Sequence, residues 1–301
     1  PNTFTGTAGS VRAASSVKFF TKRGKQHMRG WRWPMIILCI VGVFFAYNIS
    51  QNLQYERNDV SISLYDAEVD PTSLSIAVIG DTHLTEHREA LAAFGELLLE
   101  IKASKPDLII FVGDYITRPN RVNNISKHRE AVINALKLVD PIPRAAVLGN
   151  YESWSGAEKW LAEFERLGVD VLENEVTVLE TAKGPVCIRG LGDKFTKRFR
   201  YVDYPAGCKE LSKLTITHDP AGAFDSRVAG LVIAGHTHCG QVSLPFVGPL
   251  WVPSDAPPFA HCGLYQDSSR TVFVTSGVGT SILPLRLGTQ SQWDFIILES
   301  F

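Results

Sequence analysis

Five apolar runs in this chain stop in the same manner. Each gives way to a glycine or a polar turn that carries a side chain able to ligate a metal or handle a proton. Run 74–79 ends in Gly80-Asp81-Thr82-His83, run 107–112 in Gly113-Asp114, and run 144–148 in Gly149-Asn150-Tyr151-Glu152. Run 214–217 ends in His218-Asp219, and run 231–234 in Gly235-His236-Thr237-His238. Short continuous apolar runs bounded by turn signals read as buried strands. The polar groups at their ends have no place in those layers and must collect at an edge. In α/β sheets that edge, outside the carboxyl ends of the strands, is where ligands gather.

The segments between the early runs are helical. In 86–103, Ala90, Leu91, Phe94, Leu97, Leu98 and Ile101 share one face; 126–139 and 157–167 follow as second and third helices. A βαβαβ start implies parallel strands covered by helices. The second half is richer in strands, at 177–180, 186–191, 214–217, 231–234, 271–275 and 293–298, with room only for short helices between them. No internal repeat and no second linker interrupts 60–301. One domain is expected there, an α/β fold of two sheets packed face to face with helices outside (αββα).

Length and composition agree: 301 residues with 45% apolar and 20% charged side chains exclude a disordered or collagen-like chain. The charge is unevenly placed. Residues 1–33 hold seven basic and no acidic side chains, leaving 23 basic against 31 acidic elsewhere, a net −8. An acidic body argues against a nucleic-acid partner, which would need a basic face. Cys39, Cys187, Cys208, Cys239 and Cys262 form no C-x-x-C, so zinc-ribbon and thioredoxin motifs are excluded.

The basic segment 1–30 is expected to be a disordered tail. Residues 31–50 are expected to form a transmembrane anchor, with Trp31, Trp33 and Tyr47 at interface positions, and 51–59 a polar linker. A cleavable signal peptide is the rival reading, although Ala46-Tyr47-Asn48 is a poor cleavage site. Basic residues before the anchor place the N-terminus in the cytoplasm and the main domain outside a cell membrane, the inner one in a Gram-negative cell.

The five strand ends deliver Asp81, His83, Asp114, Asn150, His218, His236 and His238. These oxygen and imidazole donors suit Mn, Fe, Zn, Mg or similar divalent ions. Seven are too many for one tetrahedral ion and suit two ions sharing a carboxylate. Any single Asp-x-His or Gly-Asp is a common turn; five in order are not. Asp219 is a candidate anchor for the second nitrogen of His218.

The order D-x-H, G-D, G-N-H, H, G-H-x-H resembles that of the calcineurin-like metallophosphoesterase family over roughly 74–300. The stretches 235–241, 244–250, 263–265 and 276–279 resemble its branch of membrane-associated YkuE-type phosphodiesterases and UDP-2,3-diacylglucosamine pyrophosphatase-like enzymes. The resemblance implies two mixed sheets and a dinuclear site. Asp81, His83 and His238 would hold one ion, Asn150, His218 and His236 the other, and Asp114 would bridge them. It implies hydrolysis of a phosphodiester or pyrophosphate by direct attack of a metal-activated water.

One position departs from that pattern. Tyr151 stands where the family has the His that contacts phosphate and protonates the leaving group. A phenol, ordinarily titrating near 10, is a poor proton donor at neutral pH. Asp114, Asn150 and Tyr151 are the expected catalytic residues. His87 is a candidate substitute, otherwise an exposed helix start; His128 is read as a surface residue, and His261 has no spacing argument. The departure motivates an alternative function, a metal-retaining, catalytically reduced membrane-tethered binder of a phosphorylated ligand. The apolar, proline-rich loop 242–262 follows His238 directly. It either packs on its own domain or forms a lip facing lipid or an acyl substrate. Trp154, Trp251 and Phe259 leave both a nucleotide and a lipid-linked phosphate open as substrate.

Overall fold

The computed structural model describes residues 32–51, 55–64 and 73–299. The chain divides into two compact units, Pro1–Tyr47 and Asn48–Phe301. The expected disordered tail 1–30 lies outside the described residues.

Helix α1 spans Arg32–Gln51, but among the described residues no helix is long and apolar enough to cross a membrane. The expected anchor is corrected accordingly. Its unbroken apolar stretch, Trp33 to Tyr47, reaches only about 21 Å as a helix, short of the ~30 Å hydrocarbon core. Beyond it come Asn48, Ser50 and Gln51.

The larger unit contains two mixed sheets. The first has strand order β1 (Glu56–Ser63), β13 (Gln292–Glu299), β2 (Leu74–Ile79), β3 (Leu108–Phe111), β4 (Arg144–Ala146). All its neighbours are parallel except β13 and β2. The second has order β11 (Gly263–Gln266), β12 (Arg270–Val274), β8 (Gly230–Ala234), β7 (Ser212–Thr217), β6 (Gly184–Leu191), β5 (Glu175–Thr181). It is parallel through its centre and antiparallel at both edges.

Alternation along the strands builds three apolar layers. Ile76, Val78, Leu108 and Ile110 of the first sheet meet Ile188, Leu214, Ile216, Ile233 and Phe273 of the second in the central core. The opposite face of the first sheet, with Ala77, Ile79, Ile109 and Phe111, is covered by helices α2 (Arg88–Ala103), α3 (Ile125–Ala135) and α5 (Ala157–Leu167). Phe94, Leu97, Leu98 and Ile101 of α2 and Trp160 and Phe164 of α5 are the buried stripes. At ~25 cal/mol per Å², each such side chain contributes roughly 2 kcal/mol of burial.

Two expectations need correction here. Among the described residues the outer face of the second sheet carries no α-helix; Ala223, Phe224, Val228 and Phe199, from 3₁₀ turns and loops, cover Val232, Ala234, Val272 and Val274. Among the described residues the αββα description therefore holds on one side only, because the connections of this half run as 3₁₀ turns and irregular loops. The linker expected over 51–59 already belongs to β1 from Glu56 onward. An exposed edge strand can be as polar as Glu-Arg-Asn-Asp, and that disguises it as linker.

Candidate metal centre

The five turns meet at one edge of the sandwich. The amides of Asp81 and His83 donate to the carbonyls of Gly113 and Asp114 at 2.9 and 3.0 Å, locking the turns after β2 and β3 side by side. The amide of Gly235 donates to the carbonyl of His218 at 2.9 Å, doing the same for β7 and β8. Gly149 lets these elements close up. A Cβ there would strike the Asp114 carboxylate and lie 2.5 Å from its backbone nitrogen.

Two groups of potential ligands result, both buried: Asp81, His83 and His238, and Asp114, His218 and His236. Within the first, Nε2 of His83 lies 2.9 Å from Nε2 of His238, which is 3.6 Å from Oδ1 of Asp81. Within the second, Nδ1 of His236 and Oδ1 of Asn150 each lie 3.2 Å from Nε2 of His218. Asp114 stands between them, with Oδ2 at 3.7 Å from Nε2 of His83 and Oδ1 at 3.5 Å from Nε2 of His218. All seven residues expected as ligands are thus brought together.

The chemistry of this donor set fits cations. Nδ1 of His218 donates to the carbonyl of Val112 at 2.6 Å, and Nε2 of His236 to that of Pro253 at 2.5 Å. With one nitrogen of each ring committed as donor, the other nitrogens, Nε2 of His218 and Nδ1 of His236, face each other and the oxygens of Asn150 and Asp114, where a cation would take the place of the proton that Asp114 favours on His218. Lone pairs converging at these distances call for a shared positive centre. Five of the seven residues are also held at positive φ: Asp81 (53°), His83 (45°), Asp114 (53°), His236 (69°) and His238 (51°). Left-handed backbone costs roughly 1–2 kcal/mol per non-glycine residue and persists where the surroundings enforce it.

Burial governs the charges. It pushes Asp81 up to about 7 and His83 down to about 4, and lowers His236 and His238. Burial acts upward on Asp114 too, but the contacts with His218 and His83 outweigh it and hold the carboxyl down to about 2. The same contact with Asp114 overcomes burial at His218 and raises it.

Tyr151 is in the site. Its ring packs edge-on to His83 at 4.8 Å, its amide donates to Oδ1 of Asp114 at 2.9 Å, and its hydroxyl bonds Oγ of Ser281 at 2.8 Å. His87 is exposed at the N-terminus of α2 and does not reach the site. His128 is not a surface residue: it faces inward from α3, with Nε2 at 2.9 Å from the carbonyl of Leu84. Asp219 does not anchor His218; it caps the turn at Ala221 and accepts from Ser254, while Val112 takes the His218 proton. His261 donates to the carbonyl of Ala256 within its own loop.

Two buried residues escaped the sequence reading. Glu152 accepts from the amides of Asp114 (2.8 Å), Gly149 (3.0 Å) and Tyr115 (2.9 Å), tying the turns after β3 and β4 together. Burial, then the Asp114 charge, push it up to about 8. Its position three residues after Gly149, at the start of the short helix α4 (Asn150–Trp154), was the available signal. Arg286 donates to the carbonyls of Ser276 (2.8 Å), Gly277 (3.0 Å) and Gly279 (2.6 Å) and lies 3.1 Å from Nδ1 of His238. Burial lowers it to about 10. No local pattern marks it.

Above the ligands opens a cleft of about 860 Å³, lined by Asp114, Asn150, Tyr151, His236 and His238 at its floor and by Trp154, Phe195, Leu250, Trp251, Ile282 and Leu283 on its walls. The loop 242–262 packs on its own domain at its base and leaves its tip exposed. Ala256 and Ala260 are buried at its base, while Phe246, Val247, Leu250 and Trp251 are exposed. Disulfides join Cys239 to Cys262, closing this loop, and Cys187 to Cys208; Cys39 is free.

Residues 74–240, more than half the chain, match the family described as Calcineurin-like phosphoesterase. The uncharacterised metallophosphoesterase YkuE of Bacillus subtilis is 30% identical over 234 residues, covering 75% of this chain and 79% of that one. The phosphodiesterase YaeI of Escherichia coli is 31% identical over 194 residues, 62% of this chain and 68% of its own. A transmembrane protein with metallophosphoesterase domain from Danio rerio is 25% identical over 289 residues, 89% of this chain and 63% of that one. With strand-end ligands in family order and this match across both halves of the sandwich, the chain belongs to the calcineurin-like phosphoesterase family, whose members use divalent metals.

Proposed function

We propose that this protein is a membrane-associated phosphoesterase that hydrolyses a phosphodiester or pyrophosphate bond with two divalent ions. The carrying observation is Asp114, whose two oxygens face the two separate ligand groups. Asp81, His83 and His238 would hold one ion, Asn150, His218 and His236 the other, with Asp114 shared. When bound, such a pair supplies a deprotonated water and stabilises the phosphoryl oxygens in the transition state.

The chain's own residues set the rest. The Val112 and Pro253 carbonyls fix which nitrogens of His218 and His236 face inward. Glu152 holds the Asp114 and Gly149 turns in register. The Tyr151 hydroxyl, beside Ser281, would donate a hydrogen bond to a phosphoryl oxygen; as a weak acid it is suited to leaving groups that need no proton. The apolar walls take the non-reacting part of the substrate.

Two disulfides favour an oxidising compartment, hence the domain outside the cytoplasm. The apolar α1 and the transmembrane Danio rerio relative favour attachment to a membrane. Metal analysis of the purified chain, with turnover of bis-p-nitrophenyl phosphate on adding Mn²⁺, tests the reading. Two equivalents of metal and turnover are expected. Metal without turnover of any diester or pyrophosphate would favour the binding protein instead; no metal under any divalent ion overturns both.

A further inference from the structure

One part of the rim of the cleft is an uncharged surface, while Arg118, Pro119 and Asn120 line the cleft elsewhere. This part is made of two loops, 242–254 after β8 and 276–285 after β12, and neither contains a charged residue in a domain that is otherwise acidic. They are fastened together. The amide of Ser243 donates to the carbonyl of Leu287 at 2.7 Å, and that of Leu287 to Gln241 at 2.9 Å. The Gln241 side chain donates to the carbonyls of Ser281 and Leu283 at 2.9 and 3.0 Å. This frame pushes out Phe246, Val247, Leu250, Trp251, Ile282 and Leu283, all about half exposed or more. Phe246, at the tip of the hairpin of β9 (Ser243–Leu244) and β10 (Gly248–Pro249), is wholly exposed. Soluble surfaces rarely gather so much contiguous apolar area.

The topology bears on its occupant. β1 begins at Glu56, paired in register with Gln292. The amide of Gln292 donates to the carbonyl of Gly277, which packs directly behind Asp81. The chain therefore enters this domain at the ligand edge, the edge that carries the rim. Only residues 52–55 precede that entry after the apolar helix α1. A lipid surface satisfies both features, because it accepts an uncharged, aromatic-tipped projection with no need of matching polar groups.

We propose that the rim formed by Phe246, Val247, Leu250, Trp251, Ile282 and Leu283 docks on a lipid bilayer and presents the cleft to the phosphoryl group of an amphiphilic phosphodiester. The apolar walls then receive the first part of its hydrocarbon portion while the phosphorus stays at the ligand floor. The substrate half of the proposal rests on the phosphoesterase reading; the docking half does not.

The test uses the full chain with Cys39→Ser. An environment-sensitive fluorophore is attached at Phe246→Cys or, as control, at Ala182→Cys. Ala182 is exposed at the β5–β6 turn, at the opposite end of the sandwich. In phosphatidylcholine–phosphatidylglycerol vesicles the label at 246 should shift to the blue and be quenched by acyl-chain quenchers, and the label at 182 should do neither. Identical behaviour of the two labels overturns docking. A shift without vesicles that grows with protein concentration also overturns it, in favour of a second copy. The second arm is the double variant Phe246→Ser, Val247→Ser, neither of which lines the cleft. Its kcat/KM on a vesicle-borne phosphodiester lipid should fall at least tenfold, with bis-p-nitrophenyl phosphate unchanged. An unchanged rate on the vesicle-borne lipid overturns the proposal, as does a wild type active only on the soluble ester. Loss of all diester turnover by the wild type would instead strike the phosphoesterase reading, leaving the fluorescence to decide docking.

Discussion

Single atoms decide much in this site. In the proposed reaction Tyr151 would stand where a proton reaches the leaving group; its hydroxyl lies 2.8 Å from Oγ of Ser281. Tyr151→His should raise turnover of alkyl diesters by ~10²-fold or more, the usual contribution of a general acid, and change aryl or pyrophosphate substrates little. Parallel kcat measurements on alkyl and p-nitrophenyl esters check this, and equal effects on both would remove Tyr151 from the leaving-group path. Glu152 is equally exacting, because each of its oxygens receives backbone N–H groups. Glu152→Gln sets an amide N–H₂ against those donors, leaving buried groups unpaired at about 1–3 kcal/mol. Denaturant midpoints should fall accordingly, with a matching loss of bound metal as the Asp114 turn moves.

At the scale of elements, the loop closed by Cys239 and Cys262 holds part of the centre in place. It spans 23 residues and contributes the Pro253 carbonyl that orients His236. Opening a loop of this length costs roughly 3 kcal/mol in the chain-entropy description. The pair Cys239→Ala, Cys262→Ala should lower the melting temperature and weaken metal binding at the His236 group more than at the Asp81 group. Metal titration of the double variant beside the wild type reads that difference; unaltered binding at both groups would show that the loop orients nothing. The helices α2, α3 and α5 bury their stripes against the far face of the first sheet and touch none of the ligands. Their role is to hold β2, β3 and β4 still.

For the whole molecule, the proposed centre draws on five strand ends of both sheets, so ions bound there would tie the two halves of the sandwich together. Binding to the folded state alone adds RT ln(1 + [L]/Kd), about 2.7 kcal/mol at a hundredfold excess over Kd. For a domain of this size that is roughly 5–10 °C. Chelation should lower the melting temperature by that order, and Asp114→Ala should remove most of the response, since both groups lose a ligand. Calorimetry with and without chelator measures it. Equal melting temperatures would contradict a filled dinuclear centre.

The local pattern of the chain was enough for its central strands and for the seven polar residues that the fold gathers at one edge. A strand buried on both faces must be apolar throughout, so the polar residue after it stands out in one dimension. The same logic failed wherever burial is partial. β1 reads as linker because an edge strand tolerates charge, and His128 reads as surface because its inward direction depends on how α3 lies on the sheet. The reach of α1 turns on how far its apolar run extends. Tertiary structure alone decided the contacts between residues remote in sequence. Glu152 pairs with amides 36–38 residues back, Arg286 reaches His238 from 48 residues on, and two loops separated by two strands close into one apolar surface. No local period encodes such meetings, because they follow from sheet order, and sheet order is set by how two apolar faces pack rather than by any one segment.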